Sequence, residues 1–234
     1  TSGVEYRYDD SQQVDGTWAD RTTWLFKNSF KYQTTPDWRL VGKFNHADSD
    51  SELGSFYDGG YTEAVLGYAF RPDNHDRLNA LAKYTYFYNV PGADQLSGQE
   101  GAVSSEFIQK SHIAAVDVDY DLTSAWSVGG KYAYRLGQVS LDREDEEFFD
   151  NDAHLYIVRT DLRFRENWEG LAEVRMLDLT DLNDRRSGAL VAVYRYLGEH
   201  FKAGIGYNFT DFSDDLTDLS YDQHGVFLNL IGAM

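Results

Sequence analysis

The stretch "LTSAWSVGGKYAYRLG", Leu122 to Gly137, places a short polar turn before a Trp and then alternates large apolar residues with polar or small ones. Three further stretches have the same order: "TPDWRLVGKFNH" (Thr35 to His46), "RENWEGLAEVRM" (Arg165 to Met176) and "GEHFKAGIGYNF" (Gly198 to Phe209). Alternation with a period of two residues is typical of β-strands whose two faces differ. The repeated unit therefore predicts strands that each begin with an aromatic ring after a tight turn.

The composition excludes several classes of protein. The chain has 234 residues, of which 42% are hydrophobic and 15% aromatic, so it is expected to fold. It has no Cys, which excludes disulfides and thiolate metal sites, and a formal net charge of −18, which argues against nucleic-acid binding. No window approaches the roughly 18 consecutive apolar residues of a transmembrane helix. This criterion does not detect transmembrane β-strands, because apolar and polar residues alternate along them.

Alternating runs cover almost the whole chain. We predict twelve strands at about 3–9, 21–33, 37–47, 60–71, 76–90, 105–121, 124–139, 153–165, 168–178, 187–197, 200–211 and 223–233. Short connections near 34–36, 72–75, 122–123, 166–167 and 198–199 alternate with longer ones near 10–20, 48–59, 91–104, 140–152, 179–186 and 212–222. This order predicts a single domain, 1–234, that folds as an all-β, antiparallel up-and-down transmembrane β-barrel with short periplasmic turns and long extracellular loops.

The aromatic residues support a membrane location. Rings that flank the short turns are expected at one height, as an interfacial girdle requires: Trp38, Phe70, Tyr120, Trp126, Phe164, Trp168, Tyr196 and Phe201. A second belt is expected nearer the long loops: Trp24, Tyr61, Tyr86, Tyr88, Tyr134, Tyr156 and Phe209. A soluble β-sandwich or lipocalin-like barrel is the alternative, but it has no need of two ring belts or of loops that alternate in length.

The final run, "YDQHGVFLNLIGAM", resembles the C-terminal insertion signal of Gram-negative outer-membrane proteins. The resemblance rests on Gln223, Gly225, Leu228 and Leu230, although the chain stops at Met234 where those proteins usually end on an aromatic residue. It implies an integral protein of the Gram-negative outer membrane, with lipid, lipopolysaccharide and the barrel-assembly machinery as partners. The stretch from Ala203 to Gly232 also looks like the closing hairpin of barrels that terminate very large surface proteins.

Charged residues on the second face of each strand predict the lining of the lumen. Bases outnumber acids there, although the whole chain is acidic. The predicted lumen bases are Lys27, Lys31, Arg39, Lys43, Arg71, Arg77, Lys83, Lys131, Arg135, Arg159, Arg163, Arg165, Arg175, Arg195 and Lys202. The predicted lumen acids are Glu63, Asp117, Asp119, Asp161, Glu169 and Glu173. The remaining acids concentrate in extracellular loops at 142–152 and 211–222, where they are expected to form a solvated surface or to bind divalent cations.

Two functions fit this pattern. A basic lumen selects for anions, which predicts a pore for passive diffusion of anions or small acidic solutes. In outline this resembles the twelve-stranded channels for acidic saccharides. Alternatively, the lumen is plugged and the chain is the C-terminal membrane anchor of a larger surface protein, because twelve strands leave only a modest bore.

An enzyme is not predicted, and neither a cofactor nor a resident metal is expected. The His residues are scattered, and none forms an H-E-x-x-H pair or has a Ser two residues later as in outer-membrane phospholipases. Asp117-x-Asp119 and Asp222-x-His224 resemble the catalytic pairs of outer-membrane aspartyl-type proteases. However, the strand order places the two pairs at opposite rims, too far apart for acid–base catalysis.

Overall fold

The computed structural model describes residues 1–12, 18–52, 59–73, 76–90, 108–141, 147–198, 201–210, 212, 214, 216 and 225–232. They form thirteen strands: β1 Ser2–Gln12, β2 Trp18–Gln33, β3 Trp38–Ser51, β4 Gly59–Phe70, β5 Leu78–Val90, β6 Ile108–Asp121, β7 Trp126–Ser140, β8 Phe148–Asp150, β9 Ala153–Arg165, β10 Trp168–Leu179, β11 Asp184–Tyr196, β12 Phe201–Asn208 and β13 Gly225–Gly232. No helix in the described part of the chain is long and apolar enough to cross a membrane.

The strands pair in sequence order in one antiparallel sheet from β1 to β13. The three-residue β8 lies off this path and pairs only with β7, so twelve strands form the continuous series that the sequence predicts. The up-and-down, all-β prediction is confirmed. The long loop predicted at 179–186 is wrong, because β10 and β11 are joined by the tight turn 180–183, with Asn183 in the left-handed region at φ 48°.

The turns at one end of the strands are stabilised by Thr residues. At one end, here called the short-turn end, the Thr34 and Thr123 amides donate to the carbonyls of Trp38 and Trp126 at 3.0 and 3.1 Å. The Thr123 hydroxyl also accepts the Ala125 amide at 3.2 Å. Thr stabilises such turns by bonding to the nearby backbone. The opposite end, here called the long-loop end, carries the other set of connections.

The two faces of the sheet have opposite character. The face that carries Leu155 and Ile157 is called the inner face, and these two side chains are 0% and 3% exposed. The outer face carries Val158, which is 68% exposed although it is β-branched and apolar. Further large apolar side chains are exposed along the outer face: Val4, Phe30, Leu66, Val116, Leu136, Leu162, Val174, Val191, Ile205 and Leu230. So much exposed apolar surface requires an apolar environment, which a bilayer supplies.

The inner face contains an apolar cluster formed by β6, β7, β9 and β10. Its members are Ile113, Ala115, Ala133, Ala153, Leu155, Ile157, Leu177 and Leu179, together with Phe212 and Leu216 from the connection between β12 and β13. Phe212 and Leu216 are 5% and 4% exposed, so the connection contributes side chains to the interior. The long-loop end of this half of the inner face is therefore a packed core.

Candidate functional site

The structure places most predicted lumen charges on the inner face by strand register. The bases there are Lys27, Lys31, Arg39, Lys43, Lys83, Lys131, Arg135, Arg159, Arg163, Arg175 and Lys202, and the acids are Glu63, Asp117, Asp119, Asp161, Glu169 and Glu173. Arg71 and Arg77 lie in the connection before β5 rather than on a strand, and Arg165 pairs with Trp168 beside a bulge at the end of β9.

Two residues of β11 lie on the faces opposite to those predicted. Arg195 pairs with the outward-facing Trp168 and places its guanidinium 5.4 Å from the centre of that ring, so it does not line the lumen. Tyr196 faces inward and donates to Glu169 Oε2 at 2.5 Å, so it is not part of the outer girdle. Both faces of β11 are apolar around Val191, and alternation therefore did not determine its orientation.

Arg159 of β9 binds two carboxylates of β6. Its Nε donates to Asp119 Oδ1 at 2.9 Å, and its Nη2 lies 2.6 Å from Asp119 Oδ2 and 2.5 Å from Asp117 Oδ1. The guanidinium crosses the intervening strand β7 at Gly129, where an added Cβ would lie 2.0 Å from Asp119 Oδ1. We call Asp117, Asp119 and Arg159 the carboxylate clamp, and the glycine provides the space that it needs.

Three other predicted bases are also neutralised. Lys43 lies 2.7 Å from Glu63, which accepts further hydrogen bonds from Tyr61 and Asn45. Tyr61 is therefore an inner-face residue and not part of the predicted second ring belt. Lys202 lies 2.5 Å from Glu169, and Arg175 pairs with Glu173 on its own strand. Paired charges contribute a smaller net field than isolated charges, so the lumen is less basic than the residue types alone suggest.

Arg135 and Lys131 hold the packed end of the inner face. Arg135 is only 1% exposed, and its Nη1 donates to the Leu216 carbonyl at 3.1 Å while its Nε donates to the Asn151 carbonyl at 3.2 Å. Lys131 Nζ donates to the Asp214 carbonyl at 2.5 Å. Both cations therefore fix the β12–β13 connection against β7 and are engaged by neutral carbonyl groups.

A different group of bases remains exposed on the inner face of β2 and β3. Lys27, Lys31 and Arg39 form what we call the basic lane, and each is exposed. None of the three makes a salt bridge to a residue that the structure describes, and Arg39 Nε donates to the neutral Gln33 amide at 2.9 Å. Positive charge is therefore available to a solute on this side of the inner face, in addition to that of the exposed Arg163 of β9.

Two cavities lie at the short-turn end. One, of about 710 Å³, is bordered by Arg39, Arg71, Asp117, Asp119 and Arg159; the other, of about 530 Å³, is bordered by the connection 123–125 together with Asp161, Arg163 and Glu169. The inner face is thus hollow at the end opposite to the packed core around Leu155.

Strand β1 places further charged residues on the inner face, and none of them is among the lumen residues predicted from the sequence. In the strand register, Glu5 and Asp9 lie opposite Leu25 and Arg21 of β2, which face inward. Arg7 Nε forms a salt bridge with Glu5 Oε1 at 2.6 Å. Arg21 of β2 is also on this face. The alternation of Val4, Tyr6 and Tyr8 with these charges is the signal from which they were predictable.

Seven of the predicted girdle rings lie on the outer face. Trp38 stacks on Tyr68 with ring centres 4.5 Å apart, and Trp126 Nε1 donates to Thr160 Oγ1 at 2.8 Å. The seven are Trp38, Phe70, Tyr120, Trp126, Phe164, Trp168 and Phe201. In the proposed insertion signal, Leu228 and Leu230 face outward, Gly225 begins β13, and Gln223 is outside the described residues. Most acids of the predicted acidic loops are likewise outside them.

Comparison with known proteins finds similarity at the level of structure only. No protein-family model and no curated protein matches the chain. The siderophore receptor PirA from Pseudomonas aeruginosa aligns with a TM-score of 0.56 and 12% identity over 94% of this chain and 42% of the receptor. The NanC porin aligns with a TM-score of 0.46 and 10% identity over 98% of this chain and 96% of the porin. The β domain of the Bordetella autotransporter BrkA aligns with a TM-score of 0.36 and 12% identity over 99% of this chain and 95% of that domain.

The sheet, its apolar outer face and its charged inner face define the class of the protein. It has the antiparallel up-and-down fold of Gram-negative outer-membrane β-barrels, as the resemblance in its last strand implies. The chain spans less than half of PirA, and at 12% identity that likeness concerns the fold alone.

Proposed function

We propose that the chain is an outer-membrane pore for passive diffusion of small anions, and that the basic lane is the part of its wall that the anions contact. The observation that carries this proposal is the exposure of Lys27, Lys31 and Arg39 on the inner face, without a salt bridge to any described residue. Exposed charges of one sign on a low-dielectric wall raise the local concentration of the opposite ion.

The distribution of most of the other bases supports this assignment, and the exposed Arg163 of β9 is the exception. Arg159, Arg175 and Lys202 bind carboxylates, and Arg135 is buried against carbonyl groups. These cations stabilise the interior and contribute little to selectivity. Permeation is therefore assigned to the β2–β3 side, away from the packed core around Leu155.

The test is conductance of the refolded chain in planar bilayers, with the reversal potential measured under a KCl gradient. The double variant Lys27→Ser and Lys31→Ser is expected to shift the reversal potential toward cation preference while channels still open. Lys110→Ser is the matched control, because Lys110 lies over the Phe148 ring at 3.8 Å near the long-loop end, away from the basic lane. Equal anion preference in the double variant and in Lys110→Ser would contradict the proposal.

A membrane anchor is the second candidate, and one observation favours it. Phe212 and Leu216 are buried in the inner-face cluster, as expected of a connection that plugs the lumen. A barrel shown to be folded and inserted that passes no current would support the anchor and refute the pore.

The same proposal places the chain in the outer membrane of a Gram-negative bacterium, with lipid and lipopolysaccharide against the outer face. Insertion would then depend on the barrel-assembly machinery and on the outward Leu228 and Leu230 of β13. Replacing both with Asp is expected to reduce the outer-membrane fraction, because an aspartate on the lipid face is unfavourable. The matched change Asn229→Asp, on the inner face of the same strand, is expected to leave the membrane fraction unchanged.

A further inference from the structure

The cavity of about 710 Å³ at the short-turn end is lined by groups of both charges. Arg39, Arg71 and Arg159 supply the positive charges, and Asp37, Asp73, Asp76, Asp117 and Asp119 supply the negative charges. We call this space the mouth cavity. Its volume lies within the range of about 300–1,000 Å³ that is usual for small-molecule sites. The inward-facing apolar residues Ala69 and Leu81 form part of its lining, so the cavity combines charged and apolar groups as small-molecule sites do.

Arg39 and Arg71 supply guanidinium groups to this lining, together with the carboxylates of Asp37 and Asp73. Arg39 uses only Nε, which donates to the Gln33 side chain at 2.9 Å. Arg71 contacts its surroundings through its backbone amide, which donates to the Asp37 carbonyl at 2.8 Å, and its guanidinium bonds to none of the residues that the structure describes. Planar guanidinium donors are well suited to a carboxylate, which they bind through paired hydrogen bonds.

The carboxylate clamp forms another part of the lining. Two carboxylates share the single guanidinium of Arg159, so the clamp carries an excess negative charge. The Asp119 side chain is 42% exposed, compared with 25% for Asp117, and it is therefore the more accessible acceptor. An ammonium group is the natural partner of such a carboxylate because each of its hydrogens can be donated.

We propose that the mouth cavity binds small zwitterionic solutes, with the carboxylate of the solute on Arg39 and Arg71 and its ammonium group on Asp119. The inference rests on the proposed function in one respect: the basic lane, which shares Arg39 with the cavity, delivers the solute. A singly charged solute forms charge-assisted hydrogen bonds at only one of its ends, so binding distinguishes zwitterions from simple anions.

Calorimetric titration of the refolded chain in detergent micelles tests this with three probes of equal carbon number: 4-aminobutanoate, butanoate and butylammonium. 4-Aminobutanoate is expected to bind roughly tenfold or more tightly than either of the others, since charge-assisted hydrogen bonds form at both ends. Asp119→Asn and Arg71→Gln should each remove most of that difference. Arg71 lies in an exposed connection outside the clamp, so its replacement tests the site even if Asp119→Asn loosens the sheet.

The outcomes separate this inference from the pore. Lys31→Ser is expected to alter ion selectivity without changing the affinity for 4-aminobutanoate, because Lys31 does not line the mouth cavity. If the chain binds 4-aminobutanoate selectively but passes no current, the pore proposal is refuted and the proposal of a zwitterion site in the mouth cavity stands. Equal affinities for butanoate and 4-aminobutanoate, or unchanged zwitterion binding in Arg71→Gln, would overturn the inference.

Discussion

Arg159 and Asp119 are joined across a whole strand: Nε of the arginine on β9 donates to Oδ1 of the aspartate on β6 at 2.9 Å, above Gly129 of β7. Three adjacent strands are thereby tied together on the inner face by side chains as well as by their backbones. The link is possible because Gly129 has no side chain, and the same glycine sets the position of the clamp beside the mouth cavity.

Gly129→Ala is expected to destabilise the barrel. The new Cβ would lie 2.0 Å from Asp119 Oδ1 and 2.9 Å from Arg159 Nε, so the clamp has to move. Overpacking of this kind costs about 1–3 kcal/mol. Urea unfolding in lipid vesicles, followed by Trp fluorescence, measures the change. Gly130→Ala, whose Cβ meets only the Ile157 carbonyl at 3.4 Å, is the control and should alter the free energy of unfolding far less.

Gly204→Ala is expected to displace the Tyr194 ring that covers it. The added Cβ would lie 2.1 Å from Cδ1 of Tyr194, which is itself only 8% exposed. In the background Tyr194→Leu the same glycine change should cost less, so the two effects are expected to be non-additive. A double-mutant cycle on the free energy of unfolding measures this coupling, and strict additivity would show that the ring has room to move.

Leu216→Ala is expected to loosen the connection between β12 and β13 and to raise the conductance of open channels. Removing a buried leucine side chain typically costs about 2–5 kcal/mol, and Leu216 is part of the inner-face cluster. Conductance and protease resistance of the connection are the two measurements. Phe209→Ala is a suitable control because Phe209 is half exposed. Unchanged conductance despite faster cleavage would show that this connection does not limit the pore.

Glu63→Gln is expected to strengthen anion preference. The change removes the carboxylate 2.7 Å from Lys43 Nζ and so adds an uncompensated positive charge next to the basic lane. The reversal potential under a KCl gradient should move toward that of an ideally anion-selective membrane. Asp48→Asn makes the same change of charge on the outer face and should leave the reversal potential where it is. A shift of equal size in both variants would argue against a local effect in the lumen.

The strand order was predictable because most strands combine one apolar and one polar face. In β7, for example, Val128 and Tyr132 alternate with Lys131 and Arg135, which leaves one orientation in a membrane. Strand β11 lacks that contrast, since Val191 and Val193 alternate with Leu190 and Ala192. Its orientation is decided by tertiary contacts of Tyr194 and Tyr196 that alternation does not encode.

The candidate site was only partly predictable, for a related reason. Residue types give the sign of each inner charge, but the pairing of charges depends on register across strands. Lys31 and Arg159 are both basic residues on the polar face of an alternating strand. Nevertheless, Lys31 is exposed, whereas Arg159 binds two carboxylates. The mouth cavity likewise requires Arg71, from the connection between β4 and β5, and Asp119, from β6, to line the same space. No local sequence signal encodes that relationship.

The length of β2 has a consequence for the surface beyond the bilayer. Its 16 residues span about 53 Å at roughly 3.3 Å each, which a tilt of about 40° reduces to about 40 Å along the membrane normal. The apolar band of such barrels is only about 25 Å tall. Strands β2 and β3 therefore continue as ordered sheet into water near Asp48 and Asp50. A molecule that docks on this projecting wall meets a preorganised surface and avoids the entropy loss of ordering a loop.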